Sequence, residues 1–279
     1  MLSVPGDVLV GAAASGQVRG RGDASRAMGL AASSSCLYLA GMALNDYADR
    51  DLDARERPER PIPSGRVTPQ FALGLATGLT VAGAGIAVAA DGLRALKVAV
   101  PLAGAVWAYD LALKPTGAAV AGMSACRALD VLMGAGAHGS TRALPSAAVV
   151  GAHIATVTAV SRHEVDGATP ALGRAALKAT LAVTGAAAGL ALRRGRRPTR
   201  VAAALGLVGA YAATVGGAHA QAAADPSPER VRRAVGTGVL GLMPLEAGLA
   251  AGAGALAPAA GIALAWPLAR TLARRRSVT

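Results

Sequence analysis

Nine stretches of this chain are long, apolar and nearly free of charge: residues 28–44, 71–90, 95–113, 117–137, 143–161, 171–192, 200–224, 234–254 and 255–269. No other feature constrains the fold as tightly. Crossing the hydrocarbon core of a bilayer takes roughly 20 apolar residues, with about 17 as the lower limit. A shorter apolar stretch, residues 4–17, precedes them. The N-terminus lacks a basic region followed by a cleavage site, so that stretch reads as a short membrane helix and not as a removable leader. The expectation is an all-α, polytopic bundle of about nine transmembrane helices, with a tenth if residues 255–269 return at the C-terminus. It forms one integral membrane domain over residues 1–279. The charge content agrees: 16% of residues are charged, against about 25% in a soluble domain.

Small residues dominate the runs. Ala and Gly let membrane helices approach closely, although a GC-rich coding sequence would give the same bias. Trp107, Tyr109 and Trp266 are the expected interfacial anchors. The net charge is +12. It falls in the loops between helices and forms no basic face with interleaved aromatics, so the expected partner is an anionic bilayer surface and no nucleic acid. Cys36 and Cys126 lie inside expected helices without a second Cys or a His at metal spacing, which argues against a disulfide framework or a zinc site. His138, His153, His163 and His219 form no pair at ligand spacing.

Nine helices put the connections 45–70, 113–117, 162–171 and 225–233 on one face of the membrane. That face carries twelve basic residues against eleven opposite; a returning tenth helix would add Arg270, Arg274, Arg275 and Arg276 and make it sixteen. The positive-inside rule then puts this face in the cytoplasm of a cell membrane. Arg193, Arg194, Arg196, Arg197 and Arg200 work against that orientation.

The first of these connections opens with "NDYADRDLD", residues 45–53. Asn45, Asp49 and Asp53 are four apart, and Asp46, Asp49 and Asp53 three and four apart, so both sets share a helical face. Carboxylates on one stripe repel, and a cation would remove that cost. Mg²⁺ takes oxygen ligands, usually one or two carboxylates together with substrate phosphates. Pro58, Pro61 and Pro63 then stop the helix, and Arg55, Arg57, Arg60 and Arg66 could offer donors to phosphate oxygens. A charge-balanced, solvated loop has the same spacing, and spacing alone does not separate the two readings.

The whole string is more specific. "NDYADRDLD" followed at once by "RPERPIPSGRVT" resembles the UbiA superfamily of intramembrane prenyltransferases. "YDLALKP" at 109–115, "CRALDVLMGAG" at 126–136 and, loosely, "SRHEVDG" at 161–167 extend the resemblance. The second and third of those strings are most similar to the EboC-like branch. The resemblance spans roughly residues 1–250. It implies transfer of a prenyl group from an isoprenoid diphosphate to an unidentified small-molecule acceptor, with Mg²⁺ as the cofactor.

Carried over residue by residue, the resemblance makes Asn45, Asp46, Asp49 and Asp53 the Mg²⁺ and diphosphate motif, with Arg60 beside it. Lys114 matches a lysine that contacts the diphosphate, although it could also snorkel or pair with Asp110 four residues earlier. Tyr109 would line the prenyl path or anchor the interface. Arg127 and Asp130 lie in mid-helix, where charges are costly and face a cavity or each other. The expectation is that Arg127 faces diphosphate or acceptor and Asp130 orients it, with a purely structural ion pair as the other reading. The branch often has Asn at the position of Asp130, so no base is assigned there. The family's second acidic motif, D-x-x-x-D, is replaced by Glu164 and Asp166, two apart, beside Arg162 and His163. Residues two apart do not share a helical face. A second metal would therefore rest on an irregular loop or a single carboxylate, or activity could be lost. The rivals are a non-catalytic prenyl-lipid-binding relative and a transporter; the second would show repeats, and none is clear. A CDP-alcohol phosphatidyltransferase would need D-G-x-x-A-R, which "DGLRAL" at 91–96 does not supply.

Overall fold

The computed structural model describes residues 4–17, 20–194 and 197–276. The side chains of Arg21, His138, Arg274, Arg275 and Arg276 lie outside what it describes, as do Arg19 and Arg196 altogether. The described residues form helices and no strand: α1 Val4–Ser15, α2 Arg21–Ala48, α3 Arg50–Glu56, α4 Pro69–Asp91, α5 Leu96–Ala108, α6 Ala119–Ser161, α7 Pro170–Arg194, α8 Pro198–Tyr211, α9 Gly217–Ala224, α10 Pro228–Gly252 and α11 Leu256–Arg276. Two π-helical turns extend them, Tyr109–Leu113 after α5 and Ala212–Gly216 between α8 and α9.

Among the described residues, eight segments are long and apolar enough to cross a bilayer, including the expected tenth at the C-terminus. The chain is a multi-pass membrane protein. One expected crossing is shorter. α1 has 12 residues, about 18 Å of helix, and cannot span a core of about 30 Å. It is an interior element: Val8, Val10, Ala12 and even Asp7 are buried. Its backbone is pressed against α6, where a side chain at Gly11 would collide with Val131 O and one at Gly134 with Val8 O. The stretches 117–137 and 143–161 form the two limbs of α6, joined at Gly136 (φ 66°, ψ 171°). Gly151 on the second limb lies against Ala128 and Ser124 of the first, so the chain folds back on itself there. That backbone conformation is open essentially to glycine alone.

α10 is the most enclosed helix. Every residue from Gly241 to Gly252 is buried, Glu246 included. Gly238, Gly241 and Gly248 bring its backbone against Val157, Val215 and Val208. Between α6, α8 and α10, His153 lies 3.1 Å from Tyr211 Oη and 3.0 Å from Gly238 O, which satisfies a buried imidazole. α11 closes over α10 through Met243, Ala247, Ile262 and Ala269. Trp107 donates to Thr80 Oγ1 at 3.1 Å between α4 and α5.

The connections sort to two ends as the helix count predicts. At one end Arg162 donates to Thr116 O (3.0 Å), Ala168 N to Pro226 O (2.9 Å) and Arg232 to Glu164 O (3.0 Å). At the other, Arg26 pairs with Asp91 at 3.1 Å and reaches Gly134 O at 3.4 Å. One of the arginines that opposed the orientation has a structural use at this second end. Arg194 donates to Arg142 O at 2.7 Å and to Ser146 Oγ at 3.3 Å, tying α7 to the second limb of α6.

Candidate active site

α2 carries its helical pattern to the first of these ends because nothing between Leu30 and Ala48 breaks it. Asp49 marks a slight joint. At φ −86°, ψ 0° it ends α2 and starts α3. The hydrogen-bond ladder still runs through it, from its own N–H to Asn45 O (2.9 Å) and from Asp53 N–H to its carbonyl (2.8 Å). Asn45, Asp49 and Asp53 therefore keep the expected helical succession. Arg57 leaves the helix (φ −144°, ψ 65°) before Pro58. Arg66 then fastens the proline loop through Glu59 O (2.5 Å) and Ser64 Oγ (3.0 Å). α4 restarts behind Thr68, whose hydroxyl accepts from Phe71 N–H at 3.2 Å.

Asp49 is the centre of the motif. Asn45 Nδ2 donates to its Oδ2 at 2.5 Å, and Lys114 forms an ion pair with the same oxygen. Asp46 pairs with Arg60 at 3.3 Å. Asp53 is buried one turn on. The expected alternative for Lys114, pairing with Asp110, is not what forms, and the π turn explains it. Lys114 N–H donates to Tyr109 O at 2.9 Å, five residues back. A turn one residue wider moves Lys114 off the face of Asp110, and its ammonium points across to α2. Asp110 is buried beside Gly41 of α2, and Tyr109 packs against Gly122 of α6.

The second loop is less organised. Arg162 ties it to the segment after Lys114. Glu164 is half-buried, and burial raises its carboxyl above the usual carboxylate range against the opposing pull of Arg232. Asp166 and His163 are exposed. No hydrogen bond or ion pair joins Glu164 or Asp166 to the first motif among the described residues.

Arg127 departs from expectation. Its salt bridges go neither to Asp130 nor to the first motif. Nε lies 2.8 Å from Asp7 of α1, and Nη2 lies 3.6 Å from Glu246 of α10. Both carboxylates are fully buried, and Asp130 is 5% exposed. Three helices contribute charge to one interior cluster. A spacing argument could not find it, because each partner is more than a hundred residues from Arg127. The only local signal was a charge in an apolar run at each position.

Among the described residues no three His, Cys, Asp or Glu side chains converge as a closed metal cage. The first motif does suit the open mode of Mg²⁺ binding. Asp46 and Asp49 offer hard oxygens one turn apart at the end of the bundle, each already holding a cation, and Mg²⁺ completes such a set with phosphate and water. The remaining donors, Lys114, Arg60 and Asn45, are of the kind that bind phosphate oxygens.

Residues 8–226 match the model of the UbiA prenyltransferase family. Of curated proteins, the chain is 55% identical over 47 residues to a digeranylgeranylglyceryl phosphate synthase of Methanothrix thermoacetophila, covering 17% of this chain and 18% of that one. It is 40% identical over 89 residues to a protoheme IX farnesyltransferase of Anaeromyxobacter dehalogenans, covering 31% and 30%. The matches thus span a third or less of the length of these relatives. Among solved structures, the apo structure of a UbiA homolog from Aeropyrum pernix K1 superposes with a TM-score of 0.64 at 22% identity, over 88% of this chain and 95% of that one. That likeness concerns the fold.

Proposed function

This chain belongs to the UbiA prenyltransferase family, and from that premise we propose that it transfers a prenyl group from an isoprenoid diphosphate to an acceptor inside the bilayer, with Mg²⁺ at the first acidic motif. The observation that carries the reading is the convergence on Asp49 of Asn45 from its own helix and Lys114 from the π turn after α5. A solvated loop has no need of a helix distorted to deliver a lysine.

Asp46 and Asp49 would hold Mg²⁺, with Asn45 orienting Asp49 and Asp53 buried behind. The ion, when bound, neutralises charge on the departing diphosphate. Lys114 and Arg60 now rest on the two carboxylates. Each can turn its donors to a phosphate oxygen and stabilise the charge that grows as the allylic C–O bond breaks. Tyr109, on the bilayer side of Lys114, lines the way for the prenyl chain, and apolar helix faces keep water from the cation. Glu164 and Asp166 would serve a second ion from the loop that Arg162 and Arg232 hold in place. Arg127 and Asp130 act in this reading by fixing α1, α6 and α10 around the site. The motif end faces the cytoplasm of a cell membrane in this proposal, supported by its excess of basic residues. The "CRALDVLMG" and "SRHEV" strings support an EboC-like affinity.

A second reading, prenyl-lipid binding without turnover, is favoured by the exposure of Asp166 and by the absence, among the described residues, of a three-carboxylate cluster that would join its loop to the first motif. One experiment separates the two. Purified protein is incubated with labelled geranyl to polyprenyl diphosphates, Mg²⁺ and a lipid-plus-metabolite extract, and products are read by mass spectrometry. Prenylated product that disappears with EDTA supports transfer and identifies the acceptor. Bound but unconsumed diphosphate overturns transfer.

A further inference from the structure

A groove of about 1190 Å³ opens at the motif end between the π turn Ala212–Gly216, α9, α10 and α11. It lies apart from the acidic motif, since none of these elements carries a motif residue. Its chemistry changes with depth. At the mouth stand Arg232 and Arg233 from the start of α10, Arg270 from the end of α11 and Gln221 from α9. Further along α10 and α11 the lining turns to Val239, Leu240 and Trp266. Val239 is 53% exposed.

The arginines are only partly neutralised from within. Arg233 pairs with Glu229 at 2.9 Å, the one carboxylate in the lining. Arg232 and Arg270 form no salt bridge among the described residues. Arg270 rests over the Trp266 ring, 5.2 Å from its centre, which fixes its height at the level where tryptophan anchors sit. Arg232 spends one nitrogen, Nη1, on Glu164 O and keeps the rest of its fork. Two cations over an apolar cleft at the membrane boundary complement a ligand with a negative head and a hydrocarbon tail.

We propose that this groove binds an anionic phospholipid, its phosphate between Arg232 and Arg270 and an acyl chain along Val239, Leu240 and Trp266. Charge complementarity selects the occupant. A zwitterionic lipid would bring a second cation to a mouth that already has an excess of them, whereas phosphatidylglycerol brings only the phosphate. Because Arg232 also holds the Glu164 carbonyl, an occupied groove steadies the 162–169 loop. The binding claim does not depend on that coupling or on the proposed reaction.

The test uses the full chain, delipidated in detergent and presented with phosphatidylglycerol or phosphatidylcholine of identical acyl chains, with bound lipid counted by native mass spectrometry. Wild type retains phosphatidylglycerol over phosphatidylcholine by at least about tenfold, as two arginines without a salt-bridge partner among the described residues require at an anionic headgroup. Arg270→Gln, which leaves the loop contact of Arg232 intact, loses most of that preference. The Arg232→Gln/Arg270→Gln double variant loses all of it, and the Arg232→Lys/Arg270→Lys variant keeps part. Unaltered melting temperature of Arg270→Gln certifies its fold. Equal retention of the two lipids, or unchanged preference in Arg270→Gln and the double variant, overturns the proposal. Displacement of phosphatidylglycerol by millimolar inorganic phosphate also overturns it, since the groove would then take a free anion and not a lipid.

Discussion

Replacing Arg127 by Leu should be among the most destabilising single changes in the bundle, and the choice of second-site change that repairs it tests the cluster. The Arg127 side chain is 12% exposed, and its guanidinium stands between two carboxylates that are fully buried. Its removal strands Asp7 and Glu246 in the interior beside Asp130. Breaking a buried pair costs about 3–5 kcal/mol, whereas replacing all members by apolar groups of similar size is often neutral. At roughly 2–4 °C per kcal/mol for a chain somewhat smaller than this one, Arg127→Leu should melt on the order of 10 °C lower in detergent. Adding Asp7→Leu and Glu246→Met should recover most of the loss. Adding Asp130→Leu alone should not, because that side chain is not the salt-bridge partner. Melting curves for the four proteins, followed by circular dichroism, decide it. Full recovery with Asp130→Leu would show that Arg127 pairs along its own helix, and the assignment of Asp7 and Glu246 would be wrong.

Gly136→Ala should cost about 1–3 kcal/mol in the same melting assay, from the glycine-only backbone there; an added Cβ would also come within 2.6 Å of both Arg26 Nη1 and Asp91 Oδ2. Tyr211→Phe should cost about 1–3 kcal/mol, because it strips the hydroxyl from the buried His153 Nδ1 and leaves a polar atom without a partner; an unchanged melting point would mean that another group takes its place. In Mg²⁺ titrations of prenyl diphosphate binding, Asp166→Asn should raise the Mg²⁺ requirement steeply and Glu164→Gln more mildly. Superimposable curves for both would remove that loop from the site.

The long helices were legible because a bilayer disfavours charge over about 20 residues, and eight segments among the described residues keep to this closely enough to span. The sorting of connections to two ends followed from the same count. The first motif was legible because its spacing survives the joint at Asp49, which bends the helix without breaking the ladder. What stayed hidden depends on tertiary contact. The π turn at Tyr109–Leu113 has no sequence mark, so the alternative in which Lys114 pairs with Asp110 stayed open until the wider turn closed it. Arg127 and Asp130, three apart, satisfied a local rule for pairing. The rule lost because α1 and α10 deliver carboxylates from the two ends of the chain. The length of α1 was hidden as well: residues 4–17 are apolar enough for membrane, and only their burial beside α6 shows an interior helix.

The central claim is that Asp49 gathers Mg²⁺ and a diphosphate at the end of α2. The most direct measurement is equilibrium binding of a labelled prenyl diphosphate to purified wild type and Asp49→Asn across a Mg²⁺ titration, with melting temperature confirming the fold. Wild type should bind more tightly as Mg²⁺ rises, and EDTA should reverse the gain. Asp49→Asn keeps the shape of the side chain and loses its charge, and it should bind weakly with little response to Mg²⁺. Near-wild-type, Mg²⁺-dependent binding by a folded Asp49→Asn protein would contradict the assignment.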